Sequence, residues 1–242
     1  MPRFFVDAPP QGSYFLDGEA GRHGAKVLRL RPGEAVTLCD GQGTDWPCQV
    51  EENTGVGLLL QVGPPQPNQS EPPVQVTVCQ CLPKGDKLET VVQKAVELGA
   101  AAVWPLESAR CVARWDKKST EKKLARLQKI ALEAAMQSGR GIVPLVLPPA
   151  SLQEALETAA REGQALFFYE KARDGLTAAL VEGSGRLFLF VGPEGGFAGE
   201  EAALAQDLGA KLLTLGPRIL RTETAPLAAL AAVMYARGGM EL

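Results

Sequence analysis

The sequence predicts an α/β protein of two domains, a small β-rich unit followed by a parallel sheet covered by helices on both faces. Three observations lead there. From Val74 onward strand-like and helix-like segments alternate, before residue 64 short β-type runs are broken by glycine-rich turns, and PPQPNQSEPP (Pro64 to Pro73) stands between the two patterns. Strands alternating with helices build a parallel sheet buried on both faces. Closely spaced β runs with tight turns build a barrel or a sandwich. At 242 residues, 45% of them hydrophobic, the chain has enough apolar surface for two such cores.

In the first part, AVTLCD and VGLLLQV are the clearest β runs, and Gly41 to Gly43 (GQG) is the clearest turn. Proline fixes φ and donates no hydrogen bond, so the proline-rich stretch is expected to be an extended linker between domains at 1–70 and 74–242. Beyond it, VQVTVCQCL (Val74 to Leu82) alternates like a strand and Lys87 to Leu98 has helical periodicity. AAVWPL is a short strand in which Trp104 is expected in the core. Ser119 to Ser138 is a long amphipathic helix with Leu124, Leu127, Ile130, Ala131 and Ala134 on one stripe. IVPLVL, a helix from Leu152 to Arg161, ALFFY, RLFLFVG and KLLTLG continue the alternation. A helix from about Ala225 to Arg237 closes the chain.

Composition narrows the function classes. Five cysteines (Cys39, Cys48, Cys79, Cys81, Cys111) include no CxxC pair, and His23 is the one histidine, so no zinc-ligand spacing is present and no metal is expected. An odd cysteine count suits a reducing compartment. The start lacks the apolar run of a signal peptide and no stretch approaches a membrane span, so a cytoplasmic protein without membrane attachment is expected. The formal net charge is −3, but it is unevenly spread: residues 84–140 carry 12 basic against 7 acidic residues, and Arg110 to Lys129 alone carries 8 against 2. A compact positive patch in an acidic chain is a candidate phosphate-binding face, although a charge run alone equally describes a solvated helix. Arg22, Lys26, Arg29 and Arg31 form a second basic cluster.

Parallel sheets bind ligands in the loops at the carboxyl ends of their strands. Two such loops are unusual here. Gly192-Pro193-Glu194-Gly195-Gly196-Phe197 follows RLFLFV, and its glycines let backbone amides approach a ligand closely. It is not a GxGxxG fingerprint, and alone it reads as a tight strand-to-helix turn. Gly216 to Pro226 (GPRILRTETAP) follows KLLTL and leads into the last helix. Capping accounts for Thr224 and for Pro226 in the first turn, but not for Arg221, Thr222 and Glu223 together.

VGPEGGF followed by LGPRILRTETAPLAAL resembles the cofactor-binding end of the SPOUT methyltransferases, whose sheet is tied in a trefoil knot. With KGDKLETVVQKAVELGAAAVWPLESARCVAR and KIALEAAMQSGR, these motifs are similar to the ribosomal RNA small subunit methyltransferase E family, and His23, VLRLRPGE and CDGQG resemble that family's PUA-like barrel. The resemblance covers nearly the whole chain. Ala109 and Met136 stand where glutamate is usual, both outside the cofactor loops.

The resemblance implies a C-terminal knot bound to S-adenosyl-L-methionine. Leu215, Gly216, Ile219, Leu220 and Ala225 would hold the adenine; Val191, Gly192, Pro193, Gly195, Gly196, Thr222 and Thr224 complete the cofactor set. It also implies a homodimer acting on the small ribosomal subunit, or its 16S ribosomal RNA, at N3 of a uridine. Arg22, His23, Lys26, Arg29, Arg110, Arg114, Lys117, Lys118 and Arg140 are the expected RNA contacts, with His23 equally able to pack or cap. Trp115 could stack on a base.

The chemistry constrains the catalytic residues independently. Attack by uracil N3 on a sulfonium methyl needs the N3 proton removed or the uracil anion stabilised. Arg221 is the expected donor to the developing oxyanion. Glu194 and Glu223 are the base candidates, Glu223 more readily a structural acceptor in its own loop. Two rivals remain: a SPOUT methyltransferase acting on another RNA, and a non-catalytic RNA-binding ribosome-assembly factor.

Overall fold

The computed structural model describes residues 1–177 and 185–241, which form two compact units. The first comprises Met1–Glu71 and Ala135–Val143. Its sheet runs in the order β1 (Arg3–Phe5), β3 (Ala35–Cys39), β4 (Thr44–Asn53), β5 (Leu58–Val62), β2 (Ser13–Leu16), with β6 (Gln66–Pro67) also on β4. β1 and β3 run parallel and the other pairs antiparallel. Phe4, Val36, Leu38, Trp46, Val50, Leu58 and Leu60 are among its buried core residues, and half-buried Met136 packs on them. The methionine at a usual glutamate position therefore serves packing.

Two features of this unit differ from the sequence reading. It is not all β: α1 (Gly18–Arg22) runs into a π-helical turn over His23–Val27, ended by Arg29 at φ 53°. Arg22, His23, Lys26 and Arg29 are all exposed on this helical segment. The proline-rich stretch is also not a free spacer. Gln66–Pro67 pairs with Thr44–Asp45, and Asn68 Nδ2 and Ser70 Oγ donate to the Gly139 carbonyl at 3.2 and 2.7 Å. Proline is tolerated on an edge strand, and the polar residues between the prolines supply the missing donors.

The second unit, Pro72–Ala134 and Pro144–Leu242, contains a seven-stranded sheet whose pairings are all parallel. Its order is β10 (Ala150–Ser151), β8 (Ala102–Glu107), β7 (Val76–Cys81), β12 (Arg186–Val191), β11 (Gly163–Phe168), β13 (Lys211–Leu213), with β9 (Leu145–Val146) on β8. The central strands are buried on both faces. Even Thr77 and Gln80, which give β7 its apparent alternation, are buried. Trp104 is only half-buried, its indole N–H donating to the Pro148 carbonyl at 2.9 Å, so it is not the core residue expected.

The helices are α2 (Lys87–Glu97), α3 (Lys117–Ser138), α4 (Leu152–Glu162), α5 (Gly199–Asp207) and α6 (Ala225–Ala236). Ser151 and Glu154 form a reciprocal cap on α4. In α3, Leu127, Ala131 and Ala134 are buried, while Leu124 and Ile130 are half-buried. α5 has no counterpart in the sequence reading, because GEEAALAQD offers alanines rather than a stripe of large apolar residues. All five cysteines are buried and unpaired as disulfides.

Candidate active site

Within the second unit, the carboxyl ends of β11, β12 and β13 open onto one cavity of about 1150 Å³. Val191, Gly192, Pro193, Gly196, Leu215, Gly216, Ile219, Leu220, Thr222 and Ala225 of the expected cofactor set line it, as do Glu194 and Arg221. Gly195 and Thr224 are not among the lining residues. The Thr224 side chain makes no capping bond; the Arg221 carbonyl instead accepts from the Thr224 and Ala225 amides at 2.9 and 3.0 Å. Lining residues missed in the sequence include Lys87 and the segment Tyr169 to Ala172. The rule that sites lie at strand ends points to that segment, since it directly follows β11.

Each loop is fixed by local necessity. Gly196 sits at φ 63° and Gly216 at φ 96°, where a side chain is strained. A Cβ on Gly192 would lie 3.1 Å from the Gly196 carbonyl carbon, so the glycine loop folds tightly on itself. The two loops are then joined by a buried polar lock. Thr222 Oγ1 donates to the Gly192 carbonyl at 2.8 Å and accepts from Gln80 Nε2 at 3.0 Å. Thr222 and Gln80 are both buried, so the lock is shielded from water, and Gln80 Nε2 also donates to the Cys81 carbonyl at 2.8 Å.

Charge is arranged around the same cavity. Lys87 Nζ lies 2.8 Å from Glu194 Oε1 and 3.5 Å from Glu223 Oε2. Burial alone would raise the Glu194 pKa, but hydrogen bonds from Lys87 and from the Lys84 amide hold it below the usual carboxylate range. Glu194 thus stands at the cavity as a carboxylate ion-paired with Lys87, whereas Glu223, paired with the same lysine, is not among the lining residues. Glu223 Oε2 is buried and accepts no hydrogen bond among the described residues. The exposed Arg221 side chain has no hydrogen-bond or ion-pair partner among them, so its guanidinium is available to a ligand. Ile219 is 88% exposed, a large apolar side chain standing open at the cavity.

The expected RNA contacts divide. Arg110 Nη1 donates to the Gly195 carbonyl at 2.8 Å, bracing the glycine loop, and Arg114 pairs with Glu107 at 3.3 Å. Lys118 is exposed, and the side chain of Lys117 lies outside the described residues. Lys123 Nζ sits 5.2 Å from the centre of the half-buried Trp115 ring. Arg140 is a correction: it is buried and paired with Glu71 at 2.6 Å, so its charge is consumed inside the first unit rather than offered to phosphate. Among the described residues no group of side chains could hold a metal ion, and no helix is long and apolar enough to cross a membrane.

A parallel sheet with glycine-rich strand-end loops and an attached β unit defines a class, and family comparison agrees with it. Residues 70–234 match the RNA methyltransferase domain family and residues 16–55 match the RNA methyltransferase PUA domain family. The chain is 39% identical over 238 residues to ribosomal RNA small subunit methyltransferase E of Mycobacterium bovis, covering 95% of this chain and 90% of that one. With the Bacillus subtilis protein of that name it shares 35% identity, covering 97% and 96%. A crystal structure of ribosomal RNA small subunit methyltransferase E from Neisseria gonorrhoeae bound to S-adenosyl methionine superposes with a TM-score of 0.88 at 35% identity, covering 97% of each chain. The chain belongs to the ribosomal RNA small subunit methyltransferase E family.

Proposed function

We propose that this protein methylates N3 of a uridine in 16S ribosomal RNA, using S-adenosyl-L-methionine bound in the cavity at the ends of β11, β12 and β13. The observation that carries the reading is the convergence of two braced loops on that cavity, with Ile219 left open to an apolar ring and Arg221 left free. The cavity fits the cofactor. Exposed Ile219, with Leu215 and Leu220, offers an apolar bed for adenine, and the glycine loop brings backbone within reach of the rest.

When bound, the cofactor supplies an electrophilic methyl carbon, so the protein needs no nucleophilic side chain or metal of its own. The task left to the protein is to place the uracil and make N3 nucleophilic. Arg221 donates to uracil oxygen as the N3 proton leaves, and a planar guanidinium does this with two hydrogen bonds. Glu194, which lines the cavity, and Glu223, which does not, are the carboxylate candidates for taking that proton, Glu223 more readily a structural acceptor in its own loop.

The finer architecture belongs to the same proposal. The strand-end loops form the trefoil knot of the SPOUT fold, the first unit closes as a PUA-like barrel, and domains at 1–70 and 74–242 bind and modify the RNA respectively. The enzyme works as a cytoplasmic homodimer. Lys118, Arg114 and the α1 cluster of Arg22, His23, Lys26 and Arg29 meet phosphate. The test is direct: incubate labelled S-adenosylmethionine and the protein with small subunits lacking the modification, then identify the labelled nucleoside. N3-methyluridine in the small-subunit RNA is expected, and label on a ribose oxygen or in transfer RNA would overturn the reading.

A further inference from the structure

We propose that Lys87 is a positioning residue for methyl transfer, fixing the loop that carries Arg221 through Glu223 while it is itself fixed by Glu194; this rests on reading the cavity as the cofactor site. Three strand-end segments meet at this one ammonium. Lys87 is the first residue of α2, which follows β7; Glu194 lies in the loop after β12; Glu223 lies in the loop after β13.

The two carboxylates are held differently. Glu194 Oε1 accepts from Lys87 Nζ at 2.8 Å and from the Lys84 amide at 3.1 Å, so the ammonium has a fixed position on the α2 side of the cavity. Glu223 Oε2 lies 3.5 Å from the same nitrogen and accepts no hydrogen bond among the described residues, although the atom is buried. A carboxylate oxygen withdrawn from water without a donor is disfavoured unless a cation faces it. Lys87 is that cation, and it makes the inward position of Glu223 tenable.

That position matters because of what precedes it. Thr222 is already locked to Gln80 and the Gly192 carbonyl. With Glu223 also held, two consecutive residues after Arg221 are pinned while the guanidinium stays free. The backbone just after Arg221 is thus fixed by hydrogen bonds at Thr222 and by charge at Glu223. Of the expected adenine contacts, Leu215, Gly216, Ile219 and Leu220 precede this clamp and Ala225 follows it.

The experiment uses the full-length protein with small subunits lacking the modification. Turnover, KM for RNA, cofactor affinity by calorimetry and melting temperature are measured for wild type, Lys87→Met, Lys87→Arg, Glu223→Gln and Lys87→Met/Glu223→Gln. Lys87→Met is expected to lower kcat about tenfold and to change cofactor Kd less than threefold, while Lys87→Arg retains most of the wild-type kcat. In the Glu223→Gln background, Lys87→Met is expected to cost less than twofold further, because its partner charge is already gone. Unchanged kcat in Lys87→Met, or a loss that lysine-to-arginine exchange does not recover, overturns the proposal. So does full additivity in the double variant. If Lys87→Met fails to fold, Lys87→Gln takes its place, alone and with Glu223→Gln, and full additivity of that pair overturns the proposal. Absence of cofactor binding by the wild-type protein would instead remove the reading of the cavity.

Discussion

Arg221 concentrates the catalytic argument in one side chain. It lines the cavity, lies between the exposed Ile219 and the locked Thr222, and has no partner among the described residues. A donor whose partner acquires charge only as N3 loses its proton acts on the transition state more than on the ground state. Arg221→Ala should therefore reduce kcat by roughly a hundredfold or more, in the range seen for lost oxyanion donors, with cofactor affinity by calorimetry nearly unchanged. Arg221→Lys should recover only part, since a point charge does not reproduce the planar fork. A joint fall in cofactor affinity and melting temperature would make Arg221 a structural pin, and normal turnover would exclude it from the chemistry. Thr222 tests a different effect. Thr222→Val keeps the shape but removes the hydroxyl between Gln80 Nε2 and the Gly192 carbonyl, leaving Gln80 Nε2 its bond to the Cys81 carbonyl at 2.8 Å and the Gly192 carbonyl only the long contact from Gln80 Nε2 at 3.4 Å. A stability loss of about 0.5–1.5 kcal/mol for each hydrogen bond removed is expected, together with weaker cofactor binding, both readable by thermal melts with and without ligand.

At the scale of elements, strand-end position made much of the site legible. RLFLFV and KLLTL become β12 and β13, and the loops after them meet at the cavity, because a parallel sheet puts consecutive strand ends on one side. What stayed hidden depends on pairings between segments remote in sequence. Lys87 reaches Glu194 across 107 residues and Glu223 across 136, and neither distance leaves a local pattern. Arg140 looks like one more positive charge in a basic block, but Glu71 claims it inside the first unit. A short helix built on alanine, α5, likewise gives no periodic stripe to read. The basic arm around α3 remains testable in its own terms. Lys118 and Lys122 are exposed, so replacing both with glutamine should lower the salt slope of RNA binding by about 0.7 for each phosphate no longer neutralised, as for single strands. Cofactor affinity should not move. An unchanged slope would make this face a solvated surface. Arg140→Ala, by contrast, should leave the slope intact and destabilise the fold by about 1.5–3 kcal/mol, as for lost hydrogen bonds to a charged group, since Glu71 keeps the Gly141 and Ile142 amides.

At the scale of the whole molecule, the last helix bears on assembly. α6 contains no charged residue from Ala225 to Ala236, yet only part of its surface is used inside the second unit: Pro226, Ala229, Leu230, Val233 and Met234 are buried. Tyr235 is 77% exposed and Met240 beyond it is 49% exposed, while Ala228 also faces outward. A helix apolar all round is stable in water when a second surface covers the face its own fold leaves open. In a homodimer built on a two-fold axis the same face serves both copies, so each exposed apolar side chain is matched by its equivalent. Sedimentation at micromolar concentration should then give about twice the chain mass of 25.7 kDa. Tyr235→Lys should shift the protein toward the monomer, since it removes a large aromatic contact and sets like charges against each other across the axis. Because the substitution lies at an exposed position in the last turn of α6, the monomer's own core should stay intact, which far-UV circular dichroism will report. If the partner subunit completes the RNA site, turnover should fall with the dimer fraction across a dilution series, while label transfer per dimer stays constant. A monomeric Tyr235→Lys protein that methylates at the wild-type rate would show that each chain carries a complete site.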